Sequence, residues 1–236
     1  MVLSSDSLFH YTNSLSTLKK ILQSGYFLPC YSVQYGWGGL DYAIPVTCFC
    51  DIPKSQIRNH VKYYGSYGIG MSKTWAKRNK ISPVFYMDSN SQMHTTLAYN
   101  ITKVKEGKVV DDIFYRLFFY TKKVCGLDIS FKKPDYKPII DNKRKFYDEK
   151  EWRYVPQINY KDYIQFGEYR TNKPSFDNSR MHQYGAKFDT NDIEYIIIKS
   201  ESERKRIVDF LNKSGIGKKD VLISKIESCE HIQNNS

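Results

Sequence analysis

The residues whose types and spacing could do chemistry are an acidic triplet, Glu149-Lys150-Glu151, and a histidine near the start of the chain, His10. Residues 151–155 read as a strand stopped by Pro156. In extended chain, alternate side chains share a face, so Glu149 and Glu151 would stand together. Such a pair can stabilise positive charge that develops on a bound group. It could equally be an exposed acidic pair at a strand edge, matched by Arg153 or Lys150. His10 lies in SLFHYT, residues 7–12, a short strand in which Thr12 shares its face and Tyr11 points the other way. A histidine in that apolar setting is either a ligand contact or a hydrogen-bonded core residue.

A second constellation interleaves aromatics with cations: Tyr63, Tyr64 and Tyr67 lie near Arg58, Lys62 and Lys73. That mixture suits single-stranded nucleic acid, where bases stack and phosphates pair with cations. A solvated helix face beside a glycine turn is the plainer alternative. Cys48 and Cys50 would point to one face of a strand, but no matching pair supplies the other ligands of a metal. The remaining histidines, His60, His94, His182 and His231, have no metal spacing. No metal is therefore expected, and neither a Walker loop nor a GxGxxG fingerprint is present.

These residues need a frame. Ser14 or Ser16 can cap a helix whose Leu15, Leu18, Ile21 and Leu22 share a face, and Gly25 suits its left-handed end. A strand over 26–28 follows. Residues 31–42 read as a glycine-rich loop, 43–50 as a buried strand, and 55–64 as a helix capped by Ser55. Strands are expected at 69–71 and 83–87, with a short helix between them capped by Ser72. Residues 90–104 and 111–124 read as helices, the second burying Ile113, Leu117, Tyr120 and Val124. Residues 128–145, with Pro134 and Pro138, read as an exposed connection, and 160–190 carry no clear pattern. A strand over 193–199, a helix from Ser200 to about Ser214 and a last strand over 221–223 complete the chain. Trp37, Trp75 and Trp152 read as packing residues. Strands and helices alternate irregularly, which predicts one α/β (α+β) unit over 1–236 with a mixed or antiparallel central sheet and flanking helices.

Net charge is +11, from 36 Lys and Arg against 25 Asp and Glu. Residues 1–145 hold 21 basic and 10 acidic side chains, and the rest hold 15 of each, so the whole excess precedes residue 146. A basic half can attract nucleic acid or a phosphate-bearing cofactor, although abundant Lys, Asn, Ile and Tyr also follow from an A/T-rich genome. Five scattered cysteines argue against a disulfide framework. The start has no basic n-region or apolar h-region, and no apolar run approaches a membrane span. A cytoplasmic protein is expected.

Several segments resemble the AbiGi family of abortive phage resistance proteins: FHYT with LKKILQSG, CFCDIP with SQI, YGSYGIGMSKTWA with PVFYM, and YDEKEWRYVP. The DIEYIII and LISKI segments are compatible. Together they cover most of the chain in one order, and CFCDIP and DEKEWRYVP are the most specific. The resemblance implies a bacterial anti-phage role. The family is described as the antitoxin of a two-gene system whose partner is a nucleotidyltransferase-like toxin.

A fainter similarity is to ADP-ribosyltransferase-like folds such as the DNA-modifying DarT toxins and the RNA 2′-phosphotransferases. A strand ending in His10-Tyr11-Thr12, then a helix, then Gly25 is similar to their openings, and Glu149-Lys150-Glu151 has the form of their Glu-x-Glu motif. This implies an ADP-ribosyltransferase-like core that uses NAD. Glu151 would be the catalytic acid and Glu149 would orient the acceptor. His10 and Thr12 would hold the cofactor, with Tyr67 a candidate for its nicotinamide pocket. His10 and Glu151 would then meet across one cleft, on adjacent strands, with Glu151 facing solvent. Three functions compete: an NAD-using transferase acting on nucleic acid or protein, a non-catalytic module that restrains a partner toxin, and a DNA-binding regulator. The last is weakest, because no helix-turn-helix is evident.

Overall fold

Local signals along the chain set most of the elements. The computed structural model describes residues 4–37, 40–106, 112–130, 139–158, 165–166 and 178–234. In chain order they are β1 (Ser7–Thr12), α1 (Leu15–Ser24), β2 (Tyr26–Phe27), β3 (Cys30–Trp37), β4 (Leu40–Cys50), α2 (Arg58–Tyr64), β5 (Tyr67–Ser72) and α3 (Lys73–Arg78). There follow β6 (Ser82–Pro83), β7 (Phe85–Met87), α4 (Gln92–Lys105), α5 (Asp112–Phe119), β8 (Thr121–Lys123), β9 (Cys125–Ser130), β10 (Ile139–Lys145) and β11 (Glu151–Tyr154). The last are β12 (Gln165–Phe166), β13 (Ala186–Lys187), β14 (Ile193–Ile198), α6 (Arg204–Lys213), α7 (Lys219–Ser224), β15 (Ile226–Ser228) and α8 (Cys229–Asn234). The architecture is mixed α/β with a mostly antiparallel sheet. No helix among the described residues is long and apolar enough to cross a membrane.

The chain forms two compact units. The first comprises Met1–Phe27, Cys48–Ser82 and Ala186–Ser236; the second comprises Leu28–Thr47 and Pro83–Gly185. In the first, β5 lies between β1 and β14, antiparallel to both, and β15 adds to β14 in parallel. Phe9 and Tyr11 of β1 sit opposite Gly70 and Gly68 of β5, and Tyr195 of β14 also faces Gly70. A methyl group at Gly70 would come within 2.8 Å of the Phe9 ring and 2.9 Å of the Tyr195 ring. The glycines are thus the floor on which these aromatic rings lie. On that face Ile52, Ile57, Ile197 and Ile232 close the core. On the other, Phe27, Phe49 and Trp75 pack edge to face or tilted, with ring centres 5.1 to 5.5 Å apart.

Ser14 caps α1 by accepting from Thr17 N, and Gly25 ends it at φ 69°. Ser72 caps α3 through Trp75 N. Ser55 and Ser200 do not cap as expected. Each lies at a short 3-10 turn, Lys54–Gln56 or Glu201–Glu203, before α2 or α6.

Four other expectations change. Residues 31–37 and 40–42 are strand, because β3 pairs antiparallel with β4, with a register irregularity between Gln34 and Trp37; Gly38 and Gly39 lie outside the described residues. The 128–145 stretch contributes most of a β9–β10 antiparallel pair, with Ile140 opposite Ile129; residues 131–138 lie outside the described residues. The helix expected over 111–124 stops at Phe119, and Thr121–Lys123 pairs in parallel with β7. That helix buries Tyr115, Phe118 and Phe119 and leaves Ile113 and Leu117 exposed, because it carries apolar residues on both sides. Finally, residues 221–223 are helical, and the edge strand is β15 instead. A three-residue apolar run satisfies either period.

Candidate functional site

The Glu149-Lys150-Glu151 triplet is not extended chain. Phe146–Glu149 forms a 3-10 turn, and Lys150 takes a left-handed conformation at φ 43°, ψ 53°. Only then does β11 begin, with Glu151. The turn and the strand thus bring the two carboxylates onto one cation by a kink rather than by strand alternation: Lys122 Nζ donates to Oε2 of both Glu149 and Glu151. On the other side of Glu151, Arg153 Nε donates to Oε1 at 2.5 Å. Arg153 Nη1 also donates to the carbonyls of Phe119 and Thr121, at 2.7 and 3.1 Å. Arg144 Nη2 lies 2.8 Å from Glu149 Oε1 as an ion pair, off the line that a hydrogen bond needs. Tyr86 closes the cluster, its hydroxyl accepting from Glu151 N at 2.8 Å.

This cluster belongs wholly to the second unit and is buried. Glu151 is 4% exposed and Arg153 is 0% exposed, which corrects the expectation of a solvent-facing carboxylate. Burial pushes the Glu151 pKa up, but the charges of Arg153 and Lys122 and their hydrogen bonds outweigh it, holding the carboxyl well below the usual carboxylate range. Tyr86 is pushed upward, chiefly by burial, and stays a neutral phenol. Glu151 is therefore ionised, and both of its oxygens are engaged by cations. Each oxygen keeps a further lone pair, but at 4% exposure the carboxylate is closed off from a ribose hydroxyl arriving from solvent.

The proposed cofactor residues lie in the first unit and share one face of its sheet. Thr12 and Tyr67 are direct cross-strand partners, and His10 faces Ile69. His10 is half-buried, its ring edge-on to Phe27 at 5.2 Å and tilted against Phe49 at 5.7 Å. Its Nδ1 lies 2.9 Å from the Cys48 carbonyl. A carbonyl can only accept, so Nδ1 carries the hydrogen and Nε2 keeps its lone pair. Burial lowers the His10 pKa, against the opposing pull of the Cys48 bond, so the ring is neutral. Tyr67 is buried and donates to Glu203 Oε1 at 3.1 Å; burial, then Glu203, pushes its pKa up to about 12. His10 and Glu151 belong to different units.

The cation set proposed for nucleic acid is dispersed in bonds of its own. Arg58 Nη2 donates to the Gln233 carbonyl at 2.9 Å, and Lys73 pairs with Asp51 at 3.0 Å. Lys62 lies over the Tyr63 ring. Cys50 is buried and Cys48 partly so, and neither is in a disulfide. Among the described residues no group of three or more His, Cys, Asp or Glu could hold a metal. Trp75 is fully buried and Trp152 partly so, while the Trp37 side chain lies outside the described residues.

Lys122, Arg144 and Tyr86 were not singled out by sequence reasoning. Lys122 stands in a segment that reads as helix, 27 and 29 positions before its partners. Arg153 was the legible member, because a cation two residues along a strand from an acid shares its face.

The sequence profile of a family described as "Putative abortive phage resistance protein AbiGi, antitoxin" matches residues 40–199. A curated relative from Lactococcus lactis subsp. cremoris, "Abortive phage resistance protein AbiGi", is 32% identical over 222 residues, covering 82% of this chain and 89% of the relative. No solved structure matches the chain. With the profile spanning more than half of the chain and the relative aligned over most of both proteins, this chain belongs to the AbiGi family of abortive phage resistance proteins.

Proposed function

We propose that this chain serves anti-phage abortive infection as an antitoxin-like binding module that restrains a partner toxin. The observation that carries the reading is the state of the Glu149/Glu151 pair. Both acids are buried and neutralised by Lys122, Arg144 and Arg153, so they hold the second unit together. The family description, which includes the word antitoxin, points the same way. The partner is a nucleotidyltransferase-like toxin, as the family resemblance implies.

The competing reading is an NAD-using ADP-ribosyltransferase-like enzyme acting on nucleic acid or protein. It would need the buried Glu151 carboxylate to become open to a cofactor, and His10 to offer Nε2 to it. The test is growth of cells that express the neighbouring gene, the candidate toxin, from an inducible promoter, with and without this chain. The restraint reading expects growth to be restored by wild type, and equally by His10→Gln. Growth arrest caused by this chain alone, and relieved by His10→Gln, would favour the transferase.

A further inference from the structure

The cations that sequence spacing selected are tied down apart from one another, but a different set of cations lines one concave surface. In the first unit α1 turns Leu15, Leu18 and Leu22 inward, which leaves Ser16, Lys20 and Gln23 exposed with Lys19 beside them. Helix α6 buries Ile207 and Leu211 and presents Arg206 and Phe210 toward α1. Between the two helices is an open groove of about 430 Å³ with Leu15 and Phe210 among its walls. It is lined by Lys19, Lys20 and Arg206 and by no Asp or Glu. The volume falls within the range of small-molecule sites.

Two of the three cations are held in place. Arg206 Nη1 is 3.3 Å from Glu203 Oε1, which also accepts from the Tyr67 hydroxyl, so a partly buried carboxylate orients a guanidinium that remains 66% exposed. Lys19 Nζ lies over the Phe210 ring, 5.3 Å from its centre, so the ammonium is kept at the groove wall. Gln23 ties the far end of α1 to the Ser214 carbonyl at 3.3 Å, which fixes the groove's width. Asp209 of α6 is exposed but does not line the groove. Oriented cations around an open concavity whose lining holds no acid match phosphate oxygens, which accept from guanidinium and ammonium groups.

We propose that the α1–α6 groove binds phosphate groups, supplied by a single-stranded nucleic-acid backbone or by a nucleotide's polyphosphate, on Lys19, Lys20 and Arg206. The Lys19 ammonium covers Phe210, so recognition is of phosphate rather than of a stacked base. The site is independent of the restraint reading, because it lies on neither carboxylate of the cluster and needs no toxin.

The test uses the full chain and a fluorescein-labelled single-stranded oligonucleotide of thymidines, followed by anisotropy at about 50 mM and about 200 mM salt. Wild type is expected to bind at low salt and to weaken steeply as salt rises. The double variant Lys20→Glu/Arg206→Gln should bind roughly tenfold or more weakly, with a salt slope shallower by roughly 0.7 for each phosphate it no longer neutralises. Lys20 is exposed and the Arg206 side of its pair with Glu203 is largely open to solvent, so the melting temperature should fall by no more than a few degrees, and Lys20→Gln alone gives a milder version of the same weakening with no loss of stability. Inorganic tripolyphosphate is the second arm. Displacement at concentrations comparable to the oligonucleotide supports a free polyphosphate as source, and failure to displace supports the backbone. Equal binding by wild type and double variant overturns the proposal, as does no binding at low salt. So does competition by a poly-glutamate peptide as effective as the oligonucleotide, which would make the groove a docking surface for an acidic protein.

Discussion

Arg153 and Glu151 stand two residues apart on β11, on the same face, and the guanidinium Nε donates to the carboxylate at 2.5 Å while both are withdrawn from solvent. Two charges so placed stabilise the folded state only as long as both remain.

Glu151→Gln should therefore be a stability variant first. It leaves Arg153 without its counter-ion and weakens the hold on Lys122, a cost of about 3–5 kcal/mol for breaking a buried pair. Thermal melting of the purified variant should show a drop of many degrees. A melting temperature within a degree or two of wild type would mean that the carboxylate is reached by water, as a catalytic acid on a cleft would be.

Lys150 gives a second prediction about the same corner. A non-glycine residue in left-handed conformation costs roughly 1–2 kcal/mol, and Lys150 takes that conformation at φ 43° to aim both acids at Lys122. Lys150→Gly should be neutral or slightly stabilising. Lys150→Val, β-branched and poorly suited to that region, should lose roughly 1–3 kcal/mol. Denaturant midpoints of the two variants check the ordering. Equal destabilisation by both would show that the lysine side chain, and not the backbone, matters here.

The contrast between the two groups of candidate residues shows what sequence carries. β1, α1, Gly25 and the Ser72 cap were legible, because each depends on interactions within a few residues. The face shared by His10 and Thr12 was legible for the same reason. Lys150 defeated the strand reading of the triplet, since a lysine gives no sign that it will adopt positive φ. Lys122 and Arg144 are recruited by tertiary packing from β8 and β10, and no local pattern announces them. Helix α5 has apolar residues on opposite sides, so its buried face was a choice that periodicity alone could not make.

His10 predicts a pH dependence. Its pKa is lowered in the fold, mainly by burial. As pH falls through the ordinary imidazole value, the unfolded chain takes up a proton that the folded ring refuses. The unfolded state then binds more protons, so stability rises with pH across the window just below that value and levels off above it. His10→Gln can still donate to the Cys48 carbonyl but does not titrate. It should flatten the slope in that window by up to about 1.4 kcal/mol per pH unit. Comparing variant with wild type cancels the contribution of His94, whose pKa is also lowered. An unchanged slope would place a charged His10 in the folded protein.

The restraint account turns on whether this chain captures its toxin or consumes a cofactor. Size-exclusion chromatography with light scattering, on the purified chain mixed with the product of the neighbouring gene as the candidate toxin, measures the first directly. The account predicts one complex peak whose mass is the sum of both proteins, unchanged when NAD is added. Two separate peaks, with nicotinamide released from NAD in the fractions that hold this chain, would contradict it.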